Sequence, residues 1–385
     1  MDEPEQEPER DQDVVEPVEQ PGESIDGGQA RKFPCGKCGA DLEFSIGVQK
    51  LKCPFCGDEQ SIELTDDSEV KEQDFNAFLK RLSEQRTETR PSSFESHREI
   101  SCDSCGGTAE FTGSLTSSEC PFCGSPLQLD DVHQSPDRIP VDGVLPFQVK
   151  RKKARENLST WVKSRWFAPT EFLQRGAEGR FNGVYLPYWT FDSMTFVRYS
   201  GARGEYYWET VGSGEDERRE QRTRWYPTRG KFQRFFDDVL IIALRRMNKK
   251  FVEALEPWPL EKVRPFDQQL LAGYLARTYE TELKSGFQEA RRRIKSELKS
   301  DVRKRIGGDT QRVDRVDTRF DAVTFKHLLL PVWLLAYRYN KKTYQVYVNA
   351  ATGEVQGERP YSWIKISLAV CAVAIIVGAI GYFRS

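Results

Sequence analysis

Histidine is scarce in this 385-residue chain: only His97, His133 and His327 occur. They are too scattered for a metal triad, and so few imidazoles disfavour histidine-based acid–base or nucleophilic chemistry. The glycine-rich phosphate loop GxxxxGK[ST] is absent. Its nearest approach, Thr228-Arg229-Gly230-Lys231-Phe232, has the wrong neighbours. No GxGxxG follows a strand pattern either. The adjacent carboxylates Asp237 and Asp238 would not face each other on a helix, so they fit a helix N-cap better than a catalytic pair. Residues 1–30 do not read as a signal peptide, since they have neither a basic start nor an apolar core. Residues 1–30 instead hold eleven acidic residues, one arginine and four prolines, with almost no large apolar side chains. That composition cannot offset its ordering entropy, and it predicts a disordered acidic tail over 1–30. The tail carries −10 of a net charge of −2, which leaves +8 on the rest.

What the chain does have is cysteine in a pattern. Eight of its nine cysteines form two blocks of one spacing. Cys35, Cys38, Cys53 and Cys56 make the first, and Cys102, Cys105, Cys120 and Cys123 the second. In each block, two CxxC turns are separated by the same fourteen residues. A CxxC places two thiolates on one tight turn, and two such turns supply four sulfurs for tetrahedral zinc. Glycine follows every turn, at Gly39, Gly57, Gly106 and Gly124, where the backbone must fold its amides back toward sulfur. The closing turns Cys53-Pro54-Phe55-Cys56-Gly57 and Cys120-Pro121-Phe122-Cys123-Gly124 are identical. These are the marks of two zinc ribbons, over 31–60 and 98–130. Competing readings are weaker. Structural disulfides need an oxidising compartment, a thioredoxin-type CxxC stands alone, and iron–sulfur spacings are usually more compact. Four cysteines leave no open coordination position, so both Zn²⁺ sites are expected to be structural. Each would staple a module too small to build its own core.

Residues Ile366–Phe383 contain no charge over eighteen positions. As a helix they would extend about 27 Å, close to the hydrocarbon thickness of a bilayer. Tyr361 and Trp363 at one edge, and Tyr382 and Phe383 at the other, resemble interfacial aromatics. The expectation is one C-terminal transmembrane helix over 364–383. Lys341, Lys342, Arg359 and Lys365 precede it and Arg384 follows, a bias that would place a tail-anchored body in the cytoplasm.

Between these landmarks, 61–97 reads as a linker. Phe75, Phe78, Leu79 and Leu82 recur at helical spacing, so it should contain a short packing helix. From 139 to 359 the pattern is α+β with an antiparallel sheet. Helices are expected over 150–166, Val239–Ala254 and Gln268–Ile306. Strands are expected over Val144–Val149, Phe181–Tyr199, Phe325–Tyr339 and Thr343–Val348. Leu186-Pro187-Tyr188-Trp189 echoes Leu330-Pro331-Val332-Trp333, and Leu145-Pro146-Phe147 echoes Arg264-Pro265-Phe266, which suggests an internal duplication.

Charge argues against the ribbons as phosphate binders. Ribbon one has five basic and four acidic residues, and ribbon two has one basic and five acidic. Basic residues concentrate at Lys150–Lys153 and along Arg291–Arg305. These runs could meet anionic lipid, although a solvated helix face is the simpler reading.

Several segments together carry a resemblance: Cys102–Gly124, Leu145-Pro146-Phe147, Arg165-Trp166-Phe167-Ala168-Pro169, Gly183–Phe191, Thr223-Arg224-Trp225, Phe236–Leu240, Leu328–Trp333 and Val348–Pro360. The set resembles a bacterial family of zinc-ribbon membrane proteins of unknown function. Its members are labelled transcription-initiation-factor-B-type zinc ribbon proteins, or relatives of the primosomal replication-restart helicase. The resemblance covers about 98 to 365. Its helicase label implies DNA unwinding, for which this chain has no motor motif. The expectation is therefore a non-enzymatic, membrane-anchored protein presenting zinc ribbons to an unknown protein partner as a scaffold. The alternative is nucleic-acid binding at the membrane through ribbon one and the basic helices, with a helicase a distant third.

Overall fold

The computed structural model describes residues 33–62, 70–88, 98–101, 108–111, 118–119, 126–127, 132–134, 139–164, 180–212, 217–245, 247–339, 342–358 and 363–384. The acidic tail expected over 1–30 lies outside them. In chain order the first strands are β1 (Glu43–Ser45), β2 (Lys50–Lys52), β3 (Glu59–Gln60) and β4 (Gln73–Asp74), followed by helix α1 (Phe75–Glu88). Next come β5 (Arg98–Ser101), β6 (Thr108–Phe111), β7 (Ser118–Glu119), β8 (Pro126–Leu127) and β9 (Val132–Gln134). The main body runs through β10 (Gly143–Val144), α2 (Arg151–Lys163), β11 (Arg180–Val211), β12 (Arg218–Phe236), β13 (Ile241–Ile242) and α3 (Lys249–Glu253). It continues with β14 (Arg264–Pro265), β15 (Leu275–Ala276), α4 (Leu283–Ile306), β16 (Thr310–Tyr339), β17 (Lys342–Asn349) and β18 (Val355–Gly357). Helix α5 (Trp363–Arg384) closes the chain.

A ten-stranded sheet organises the body around the antiparallel pair β11 and β16. Their inner segments, Phe181–Phe191 and Phe325–Leu335, are near-continuous apolar runs because they are covered on both faces. Val184, Leu186 and Tyr188 pack with Leu330, Val332 and Leu334 on one side, against α3 and Trp258. Phe181 and Tyr185 pack with Trp333 and Leu335 on the other, against α2.

The register relates two halves of the domain. Leu186 sits directly opposite Leu330, so the two Leu-Pro-x-Trp motifs lie side by side and antiparallel. Strand β10 runs parallel to β16, with Gly143 beside Leu328, and β15 runs parallel to β11, with Leu275 beside Val184. In both cases the short strand reaches the long one two residues before its motif leucine. Helices α2 and α4 begin at the same interval after β10 and β15. The counterpart of Leu145-Pro146-Phe147 therefore follows β15. Arg264-Pro265 does not take that place, because it forms β14 and pairs with β10 itself. Each short strand completes the sheet beside the other half's long strand, a crossed arrangement about a pseudo-two-fold.

Two sets of expectations are corrected. First, the fold is mostly β, where an α+β class was expected. Val239–Ala254 is not one helix, because its β-branched start pairs with β11 at Ile241 and Ile242 and only Lys249–Glu253 turns helical. Gln268–Ile306 is not continuous either. A 3₁₀ turn over Gln268–Leu271 ends at Gly273, whose φ of +80° is incompatible with a helix, and α4 starts only at Leu283. Second, among the described residues no helix is long and apolar enough to cross a membrane, where a span takes about 20 consecutive apolar residues. The 364–383 segment is helical, with Leu368, Val370 and Ile375 exposed. The expected transmembrane span, and the single-pass membrane location built on it, do not stand. Of the two expected zinc sites, one four-cysteine group is assembled among the described residues, and the cysteines of the second lie outside them.

Beyond the body, β11, β12 and the first part of β16 continue as a three-stranded arm. Ser193–Val211 of β11 pairs with all of β12, a length of about 60 Å at roughly 3.3 Å per residue. One face of the arm is backed by α4. Its buried residues Ala290, Ile294, Leu298, Val302 and Ile306 recur every four positions and pack with Val197, Phe232 and Val316. Arg234 braces the contact from β12 by bonding Asp301 at 2.7 Å and Glu297 at 2.9 Å. The arm's opposite face is open to solvent.

Candidate metal centre

Cys35, Cys38, Cys53 and Cys56 converge between two similar turns. In the first knuckle the amide of Gly39 donates to the Cys35 carbonyl (2.9 Å), and that of Cys35 to the Ala40 carbonyl (2.7 Å). In the second, Gly57 donates to Cys53 (3.0 Å) and Cys53 to Asp58 (2.8 Å). Both glycines adopt positive φ, +74° and +75°, with open space where a Cβ would sit. Backbone conformation, not room, is what demands glycine there. The four sulfurs lie within 4.8 Å of one another, with Cys35 to Cys56 and Cys38 to Cys53 at 3.5 Å. A tetrahedral ion with metal–sulfur bonds of about 2.3 Å needs sulfurs about 3.8 Å apart, so the four can hold a metal ion.

The electrostatics favour a cation. The Cys56 amide, 3.5 Å from the Cys53 sulfur, holds the Cys53 thiol down to about 6. The Asp58 amide favours a Cys56 thiolate too, but burial and the three neighbouring sulfurs outweigh it and push that thiol up to about 12. Four thiolates cannot share this volume without a positive charge among them. All four positions of a tetrahedral ion would be taken by sulfur, leaving none for water or substrate.

The ribbon is fused to the body. Leu42, Phe44 and Leu51 join the core cluster that contains Phe147, Leu271 and Trp333. The amide of Phe44 donates to the Ala272 carbonyl (3.1 Å), and Gln49 Nε2 to the Phe147 carbonyl (3.3 Å). Two ribbon lysines are paired, Lys37 with Asp58 at 2.6 Å and Lys52 with Glu59 at 2.9 Å, while Lys50 is exposed with no ion pair among the described residues.

Cys102, Cys105, Cys120 and Cys123 lie outside the described residues. The strands around them are described: β5 pairs with β6 and β9, and β7 with β8, all antiparallel. Of the basic runs, Arg293 on α4 is held by Glu256 through two bonds of 2.9 and 2.7 Å. That part of the helix is occupied with packing.

A polar cluster that motif reasoning missed tethers the segment before α1 to the sheet. Asp192, 1% exposed, accepts the Asp238 amide at 2.6 Å. Thr324 Oγ1 donates to Glu72 at 2.7 Å and lies 3.1 Å from Asp192 Oδ2. One hydroxyl has one proton to give, so the second contact needs a protonated carboxyl. Lys326 completes the group, 2.8 Å from Asp238 and 3.4 Å from Glu72. Burial pushes the Asp192 carboxyl up to about 6, and its contact with Glu72 adds to this. A raised carboxyl means the folded state holds more protons than the unfolded one between about pH 4 and 6, so this group's contribution falls as pH rises through that window. Asp192→Asn should therefore gain on the parent at pH 7.5, by on the order of 2 kcal/mol or several degrees in Tm. At pH 4 the gain should vanish. Thermal melts of both proteins at the two pH values test this, and a difference independent of pH would refute it.

No family model matches the chain, and no solved structure does. It is similar to the uncharacterized protein YdjG of Bacillus subtilis (strain 168), 26% identical over 349 residues, which cover 89% of this chain and 94% of that protein.

Proposed function

We propose that the protein is a non-enzymatic scaffold whose Cys35, Cys38, Cys53 and Cys56 hold a structural Zn²⁺ and present the second knuckle to a protein partner. This deepens the resemblance to bacterial zinc-ribbon proteins and leaves its helicase label aside. The observation that carries the reading is Phe55. Phe55 is 72% exposed at the tip of a turn that two cysteine ligands would hold rigid, while Leu42, Phe44 and Leu51 of the same ribbon are buried in the body's core. A rigid, exposed aromatic beside a closed metal site suits an interface anchor, and it has no evident structural duty. With five basic residues nearly balanced by four acidic ones, ribbon one is a poorer reader of nucleic acid.

Metal analysis of the purified full chain should return at least one zinc per chain, and more than one would load the second cysteine block. A photoreactive phenylalanine analogue at position 55, introduced in the native cell, should give one discrete protein adduct that a probe at Lys80 does not. Phe55→Ala should leave stability within about 0.5 kcal/mol and weaken recovery of that partner about tenfold or more. Absence of any specific adduct, or robust ATP hydrolysis by the purified chain, would sink the proposal.

A further inference from the structure

The open face of the arm goes beyond that reading. Strand periodicity puts Phe196 and Arg198 on this face, with Gln233 and Lys231 beside them on β12 and Arg319 and Asp317 on β16. These six side chains border a cavity of about 730 Å³. Farther along the same face come Arg229, Trp225, Tyr206 and Trp208. Exposure is 41% for Trp225, 48% for Tyr206 and 64% for Trp208. Two of the rings already carry guanidinium groups, Arg319 over Phe196 at 4.8 Å and Arg312 over Trp225 at 5.5 Å.

Charge on this face is unbalanced. Arg312, Arg315 and Arg319 are each paired along their own strand with Asp314, Asp317 and Asp321. Arg198, Arg229 and Lys231 make no ion pair among the described residues. On this face β12 contributes Arg219, Arg229 and Lys231 and no acid, whereas Arg218, Arg222 and Arg234 lie on the opposite face in ion pairs. Edge strands use charge to avoid pairing with other sheets. That need does not explain solvent-facing tryptophan and tyrosine rings between the charges, each of which costs free energy in water. Cations that lack partners, flanked on both sides by exposed rings on a rigid sheet, match a ligand that is a polyanion carrying π-faces at intervals.

We propose that this face binds single-stranded nucleic acid. Phosphates would lie along Arg198, Lys231 and Arg229, and bases would stack on Phe196, Trp225 and the rings beyond. An acidic polypeptide would satisfy the cations but not the rings. A duplex keeps its bases stacked inside and could use the cations alone.

The test is binding of a fluorescein-labelled 15-nucleotide oligothymidylate to the full chain, followed by anisotropy across a salt series. A matched DNA duplex and an oligoglutamate peptide serve as comparisons. Binding of the single strand should weaken steeply with salt and quench tryptophan emission. Arg198→Glu combined with Lys231→Glu should weaken it at least tenfold, and flatten the log–log salt slope by about 0.7 per lost phosphate contact. Trp225→Ala with Trp208→Ala should weaken it about tenfold or more while leaving the salt slope nearly unchanged. All four side chains are exposed, so melting curves should match the parent and exclude misfolding as the cause. The proposal is overturned by no single-strand binding at low salt, by equal or tighter binding of the duplex or the peptide, or by affinity indifferent to both double variants.

Discussion

Stripping the metal, by chelation or by Cys53→Ser, should lower Tm by more than 10 °C and leave residues 33–62 open to protease, with recovery on zinc addition for the chelated parent alone. The size follows from what an ion at these four cysteines would hold together. Structural zinc contributes on the order of 10–16 kcal/mol in isolated finger peptides, and here its loss would not stay local. Without it, four sulfurs within 4.8 Å lose the charge that lets them coexist. The two knuckles then have only short strands to keep them paired. Leu42, Phe44 and Leu51 would leave the core they share with Phe147 and Trp333, exposing apolar surface on the body as well. Differential scanning fluorimetry with limited proteolysis checks this. A metal-free chain that melts and resists protease like the loaded one would show that the ribbon needs no ion.

Trp189→Ala should cost about 3–5 kcal/mol, read from urea denaturation, with Trp189→Phe well under that. Trp189 is fully buried where three elements meet. Its Nε1 donates to the Thr281 carbonyl at 2.8 Å, and its ring lies 4.6 Å from the His327 ring and 5.1 Å from that of Tyr279. Helix α4 comes close enough only because residue 286 is glycine, where a Cβ would stand 2.8 Å from Trp189 Cδ1. Removing the indole leaves both a cavity and an unpaired carbonyl, and the two costs combine. A loss below about 1 kcal/mol would mean that α4 collapses into the space.

Those two sites show what a sequence can disclose. The cysteine turns are legible because spacing, glycine and chemistry all act within a few residues. Helix α1 is legible because Phe75, Phe78 and Leu79 share one face and all pack on the core around Phe191 and Phe325. The run after Val239 is not, because buried strand and buried helix look alike over a short apolar stretch and pairing with Tyr188 and Trp189 decides it. The apolar C-terminal segment shows the same ambiguity, since hydropathy marks a helix without settling what surrounds it. The arm was within reach. Phe196, Arg198, Tyr206 and Trp208 alternate with inward residues, but their meaning depends on β12 and β16 lying alongside, which no local pattern announces. The cluster at Asp192 draws Glu72, Thr324 and Lys326 from remote parts of the chain, so only the fold could assemble it.

The crossed placement of β10 and β15 bears on how the domain can be divided. Each half lends its opening strand to the other, so a cut between β13 and β14 would leave two fragments that each lack a strand of their own sheet, β15 beside β11 in the first and β10 beside β16 in the second. Neither fragment should be an autonomous folding unit despite the matching layout of the two halves. Long-range pairing of Gly143 with Leu328 must also wait for most of the chain to be made. Synthesis on the ribosome would therefore leave the first half incomplete, and in need of protection, until the second emerges.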